Sequence, residues 1–163
     1  MSTPSVADFG SPDRHRPQLP ASSRRLMGAH LLHLAARELN VHLDREFAPL
    51  DLTGQQAGLL LRLRPGALSP RQLAPVLGTD HAGMTRLVDR LEGKGLVARQ
   101  PHPQDRRSIV VGLTDAGREV VPLLPPVFAR VSTRLFAGLT DDETELATGL
   151  LGRMVGNLHD TVE

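Results

Sequence analysis

The stretch "SPRQLAPVLGTDHAGMTRLVDRLEGKG", residues 69–95, is the key to the architecture. Ser69 reads as a helix cap, with Pro70 at the first helical position and Gly78 closing the segment. Pro75 removes an internal hydrogen bond, so this helix is short or bent. Thr79 or Asp80 then caps a second helix, which Gly95 stops in a left-handed conformation. Met84, Leu87, Val88 and Leu91 fall at i, i+3, i+4 and i+7, one apolar stripe that belongs in a core. The outward face carries His81, Ala82, Gly83, Thr85, Arg86, Asp89 and Arg90. A short capped helix, a tight turn and an amphipathic helix make a helix-turn-helix.

The residues that follow add a hairpin. "LVARQ" (96–100) and "SIVVGL" (108–113) are strand-like runs joined by "PHPQDRR" (101–107). A solvated turn would account for Arg106 and Arg107 if they stood alone. Beside an amphipathic helix the hairpin is a wing, and its arginines suit the negative potential of a narrow minor groove. Thr85 can bond a base edge or a phosphate, and Arg86 can donate two hydrogen bonds to guanine in a major groove. Ala82 and Gly83 let backbone approach closely. Backbone N–H groups at Ser69, Arg71 and Gln72 suit a phosphate. Arg90 either reaches DNA or pairs with Asp89 or Glu92, and Arg99 either contacts the DNA backbone or packs.

Helical patterns flank this core. Residues 1–21 are rich in proline and polar residues and read as a disordered tail. From Ser23, a possible cap, Leu26, Ala29, Leu32, Ala36, Leu39, Leu43 and Phe47 recur at helical steps, ending before Pro49. Thr53 and Gln56 form a capping-box pattern for a helix stopped by Pro65 and Gly66. Thr114 caps a helix that Pro122, Pro125 and Pro126 interrupt, and Thr140 with Glu143 opens a last one. The boundaries expected are a tail at 1–21, a dimerisation helix at 22–48, a DNA-binding domain at 49–113 and dimerisation helices at 114–163. The flanking segments carry more amphipathic helix than one small lobe can bury, which predicts a homodimer. The fold class is mainly α with a small β-hairpin wing (α+β).

Composition narrows the chemistry. The 163 residues include no Cys, which excludes disulfides, thiolate metal sites and thiol switches. Net charge is +1, distributed as +2 over residues 1–68, +3 over 69–118 and −4 over 119–163. Without Trp or Tyr and with four Phe, the chain lacks the stacking platforms of single-strand binders, so duplex DNA is the better nucleic-acid partner. No apolar run approaches a membrane span and the N-terminus lacks a signal-peptide core, so the expected location is cytoplasmic. No nucleophile elbow, phosphate loop, zinc-protease or dinucleotide motif appears, so neither an enzyme nor a cofactor is expected. His30 and His33 stand at i, i+3, but two histidines do not make a metal site. A metal-responsive regulator, or a winged-helix interaction module without specific DNA binding, remains as an alternative.

"LAPVLGTDHAGMTRLVDRLEGKGLVARQPHPQDRRSIVVGLTDAG" resembles the winged helix-turn-helix core of the MarR (multiple antibiotic resistance regulator) family, through "MTRLVDRLEGKGLVAR", the wing "DRR" and the closing "LTDAG". The resemblance spans roughly residues 26–160 and is most specific over 69–118. It implies a dimeric, ligand-responsive repressor or activator of transcription, and the reading adopted is a repressor released from a pseudo-palindromic operator by a small effector such as a phenolic compound or aromatic carboxylate. Helix 81–93 would then lie in the major groove and wing 102–108 in the minor groove. Arg106 would be at the wing tip, with Asp105 orienting it through a salt bridge. His30, His33 and Arg37 are the residues nominated for the effector pocket. The lack of cysteine excludes the peroxide-sensing branch, and the prolines at 122, 125 and 126 depart from the long helix usual there.

Overall fold

The computed structural model describes residues 20–102 and 105–159, with backbone alone for Asp105, Arg106, Arg107 and His159. The chain divides into two compact units, one ending at Arg37 and the other beginning at Glu38. The tail expected over 1–21 lies, up to residue 19, outside the described residues.

Helix α1 runs Ala21–Phe47. It starts two residues before the expected cap Ser23, because the Pro20 carbonyl accepts the first helical hydrogen bond, from the Arg24 N–H at 3.0 Å. Within the first unit, Leu26, Met27 and Leu32 are exposed. A 3-10 turn, Ala48–Leu50, follows it, and Pro49 within that turn has no N–H with which to continue the α-helix.

In the second unit α2 is Gly54–Arg62, α3 Pro70–Val76 and α4 His81–Gly93. The caps follow local chemistry. Thr53 and Gln56 bond reciprocally, as do Ser69 and Gln72. The Asp80 carboxylate, not Thr79, accepts the Gly83 N–H at 2.6 Å. Gly78 and Gly95 sit at φ 58° and 70°, the left-handed region where glycine carries no Cβ penalty. Pro75 is accommodated because α3 is only seven residues long and ends one residue later.

Strands β1, Val97–His102, and β2, Asp105–Leu113, form an antiparallel hairpin. They are longer than the sequence pattern predicts. Pro101 pairs with Ile109 inside β1, which the sheet tolerates because β1 is an edge strand and no ladder partner needs the missing N–H. The register slips after Pro101, so that His102 faces Asp105. Arg106 and Arg107 therefore belong to β2 and not to a loop. On the far side of β2, Leu68 and Val111 exchange backbone hydrogen bonds of 3.0 and 2.8 Å.

The prolines that interrupt the C-terminal pattern are absorbed by a change of helical type. Helix α5, Asp115–Val120, passes through a 3-10 turn, Val121–Leu123, into α6, Leu124–Leu135. Val120, Val121, Leu123 and Leu124 all keep right-handed φ/ψ. Pro125 and Pro126 occupy the first turn of α6, where backbone N–H groups have no helical acceptor. Helix α7 is Asp141–His159, with Thr140 and Glu143 bonded reciprocally at its start.

One core joins the end of α1, helices α2 to α6 and the hairpin. Phe47, Leu59, Leu60, Leu73, Met84, Val88, Leu91, Val97, Val111 and Leu124 are buried together. Phe47 and Phe128 meet with ring centroids 4.9 Å apart, and Arg130 pairs with Glu46 at 3.2 Å beside them. Among the described residues no helix is long and apolar enough to cross a membrane.

Candidate nucleic-acid interface

The orientation of α4 follows from what it buries. Met84, Val88 and Leu91 are fully enclosed and Leu87 nearly so. At 100° per residue, Asp89 and Gly93 share the middle of the opposite face with Ala82 and Arg86. All four are exposed, and so are His81, Thr85 and Arg90. The Thr85 hydroxyl donates to the His81 carbonyl at 3.0 Å, which leaves its oxygen lone pairs to accept.

Several residues nominated from sequence have work inside the fold. The Ser69 hydroxyl and the Gln72 side-chain oxygen satisfy each other and the start of α3. Arg71, between them in sequence, is exposed. A Cβ at Gly83 would overlap the Thr79 hydroxyl and meet the Asp80 carboxylate at 3.0 Å, so glycine here permits the cap as well as close approach.

Arg99 is the clearest case. Its Nη2 donates to Asp89 Oδ1 at 2.6 Å, its Nη1 bonds Glu92 Oε2, and its backbone N–H donates to Glu92 Oε1 at 3.0 Å. The hydrogen bond to Asp89 holds its guanidinium above the usual arginine value, opposed by desolvation and helped by Glu92. Asp89 and Glu92 thus bind Arg99, and not Arg90. Arg90 lies on the other flank of α4, where it borders a hollow of about 560 Å³ lined also by Asn40, Leu43, Asp44, Thr53, Gly54 and Leu87. It also borders a second hollow, of about 420 Å³, with Asp51, Gln56 and Lys94.

The side chains of Asp105, Arg106 and Arg107 lie outside the described residues, so the expected Asp105 salt bridge does too. Their backbone places them at the start of β2, beyond the point where the register slips. His30, His33 and Arg37 are on the first unit's helix, where His30 and Arg37 are exposed and His33 is too. No cluster of three or more metal-ligating side chains occurs among the described residues.

Sequence reasoning missed three tertiary links. Lys94 bonds Asp51 through both its carboxylate, at 3.1 Å, and its carbonyl, fastening the end of α4 to the turn after α1. The Thr114 hydroxyl caps α5 and donates to the Gly95 carbonyl at 2.6 Å. The third link is the Asp89–Arg99–Glu92 cluster. A signal existed for that one: two carboxylates at i, i+3 on one helix flank, followed seven residues later by an arginine on a returning strand.

A helix-turn-helix followed by a hairpin, with helices on both sides in sequence, matches known proteins over most of its length. A model of the MarR family matches residues 50–108. The Bacillus subtilis protein "Uncharacterized HTH-type transcriptional regulator YwaE" is 32% identical over 149 residues, covering 88% of this chain and 87% of that protein. The crystal structure of a single-residue mutant of Escherichia coli MarR complexed with operator DNA superposes with a TM-score of 0.74 at 28% identity, covering 83% of this chain and 99% of that one. A structure of Bordetella bronchiseptica BpsR, which concerns regulation of its DNA binding by 6-hydroxynicotinic acid, superposes at 0.72 with 29% identity, covering 78% and 91%. Escherichia coli MarR is 32% identical over 127 residues, covering 77% of this chain and 88% of that protein, and the chain belongs to the MarR family, whose members are transcriptional regulators and not enzymes.

Proposed function

We propose that the protein is a homodimeric repressor that binds a pseudo-palindromic duplex operator and leaves it when a small aromatic effector binds. The observation that carries this reading is the fixed orientation of α4. Its apolar stripe is sunk in the core, so Ala82 and Arg86 face outward and can enter a major groove. Thr85 and His81 flank them, Arg71 serves the phosphate backbone, and Arg106 and Arg107 on the wing strand serve the adjacent minor groove. The operator-bound MarR neighbour supports DNA as the partner.

A dimer is supported by α7. Leu146, Leu151, Met154, Val155 and Leu158 are exposed, Leu158 at 75%, a large apolar surface for a solvated helix. The effector reading rests on the 560 Å³ hollow, whose size suits a small ligand and whose Arg90 would meet a carboxylate. A ligand seated against α4 can favour one placement of the helix over another, and that difference in affinity is what weakens DNA binding. The BpsR neighbour, regulated by 6-hydroxynicotinic acid, supports an aromatic acid as the class.

The test is selection of a duplex from a randomised pool of about 30 base pairs, roughly three turns of about 10 base pairs, by the wild-type protein. That duplex is then titrated with wild type and with Arg86→Ala and Arg106→Ala. Each variant is expected to lose about 1–3 kcal/mol, and Arg86→Ala to relax sequence preference as well. Binding of selected and random duplex with equal affinity would reject the reading in favour of an interaction module.

A further inference from the structure

The wing-side flank of α4 carries two carboxylates, Asp89 and Glu92, on a surface assigned to a polyanion. Unpaired, they would repel phosphates. Both are instead held by Arg99, whose side chain is 29% exposed. The grip is two-ended: Glu92 binds both the guanidinium and the backbone N–H of the same residue. Arg99 stands opposite Val111 in the hairpin, and Val111 is fully buried and bridged to Leu68 beyond it. The strand position that carries Arg99 is therefore tied on one side to α4 and on the other, through β2, to the segment leading into α3.

We propose that Arg99 is a positioning residue that does not touch DNA but clamps the wing to the recognition helix through Asp89 and Glu92, setting the distance between the two elements that read the duplex. This rests on the DNA-reading function proposed above. A planar guanidinium can bond two carboxylates at once, which an ammonium on a flexible stem does poorly. The wing reaches its groove only if its root holds a fixed spacing from α4. A misplacement of about an ångström would break several contacts together.

The clamp and a direct phosphate contact predict opposite signs. The combined variant Asp89→Asn, Glu92→Gln removes two negative charges at nearly constant shape. If Arg99 bonded phosphate, losing its competitors would tighten DNA binding. The clamp predicts that affinity for the selected duplex falls on the order of tenfold, as for a lost specific contact. Arg99→Met is expected to lose at least as much, since it also leaves both carboxylates unpaired beside phosphate, and Arg99→Lys to bind more weakly than wild type. Unchanged or tighter binding by the acid variant, or wild-type affinity in Arg99→Lys, would overturn the proposal. Amide hydrogen exchange of the free full-length protein supplies a readout that needs no DNA. β1 and β2 are expected to exchange faster in the acid variant while α2 and α6 do not change, and unaltered strand exchange would also overturn the clamp. Should the wild type enrich no duplex, the DNA reading fails, and the exchange result still decides the clamp.

Discussion

At the scale of single residues, the glycines of this chain separate into those that the fold needs and those it does not. Gly117 is the sharpest example. A Cβ there would overlap the Leu96 carbonyl oxygen and press on Leu113, because α5 begins directly against the root of the wing. This gives the "LTDAG" motif a physical content: Thr114 caps the helix and bonds Gly95, and Gly117 lets the helix lie against the strand. Gly117→Ala is expected to destabilise by about 1–3 kcal/mol, as overpacking does, read as a lowered midpoint in urea unfolding. At Gly93, at the exposed end of α4, an added Cβ would meet nothing within 4 Å. Gly93→Ala is expected to leave stability unchanged or raise it by up to about 1 kcal/mol in the same assay. The letter G in the sequence carries no such distinction, since the difference lies in what packs above each α-carbon.

At the scale of elements, α4 shows how a helix is made and aimed. The Asp80 carboxylate satisfies an N-terminal donor, and Asp80→Ala is expected to cost about 1 kcal/mol in urea unfolding. Four apolar side chains sink one face, and Leu91→Ala, leaving a cavity in the core, is expected to cost about 2–5 kcal/mol in the same measurement. The far end is held by Lys94 on Asp51, and the wing-side flank by Arg99. Caps and stripe were legible in the sequence because both are local, three or four residues apart. The intramolecular partners of Arg90 and Arg99 were not. The sequence left Arg90 a choice between DNA and its own neighbours Asp89 and Glu92, and Arg99 a choice between DNA and packing. The returning strand brings Arg99 to both carboxylates, from ten and seven residues away along the chain, and so takes them from Arg90. The wing was recognised as a hairpin, yet its strands run further than its β-branched residues indicate. Backbone pairing carries them through Pro101 on one side and back to Asp105 on the other.

At the scale of the whole molecule, charge and exposed apolar surface set the behaviour in solution. The stretch 69–118 is basic, net +3, and the stretch 119–163 acidic, net −4. DNA affinity is expected to fall steeply with salt, and the slope of log K against log [salt] to become shallower by about one unit in Arg71→Ala if that residue meets a phosphate. Replacing Leu151 and Leu158 together by Asp is expected to lower the mass measured by light scattering from two chains to one. A persisting dimer would remove α7 from the interface. The order of the main elements, the caps at Thr53, Ser69, Thr114 and Thr140, the buried stripe of α4 and membership of a winged-helix class followed from the chain's residues read in order, since each depends on near neighbours or on a contiguous motif. How the parts are fastened did not: Lys94 to Asp51, Thr114 to Gly95, and Arg99 to Asp89 and Glu92 are products of three-dimensional packing. A charged or hydroxyl side chain has several acceptable partners along the sequence. The packing of helix against strand leaves it one.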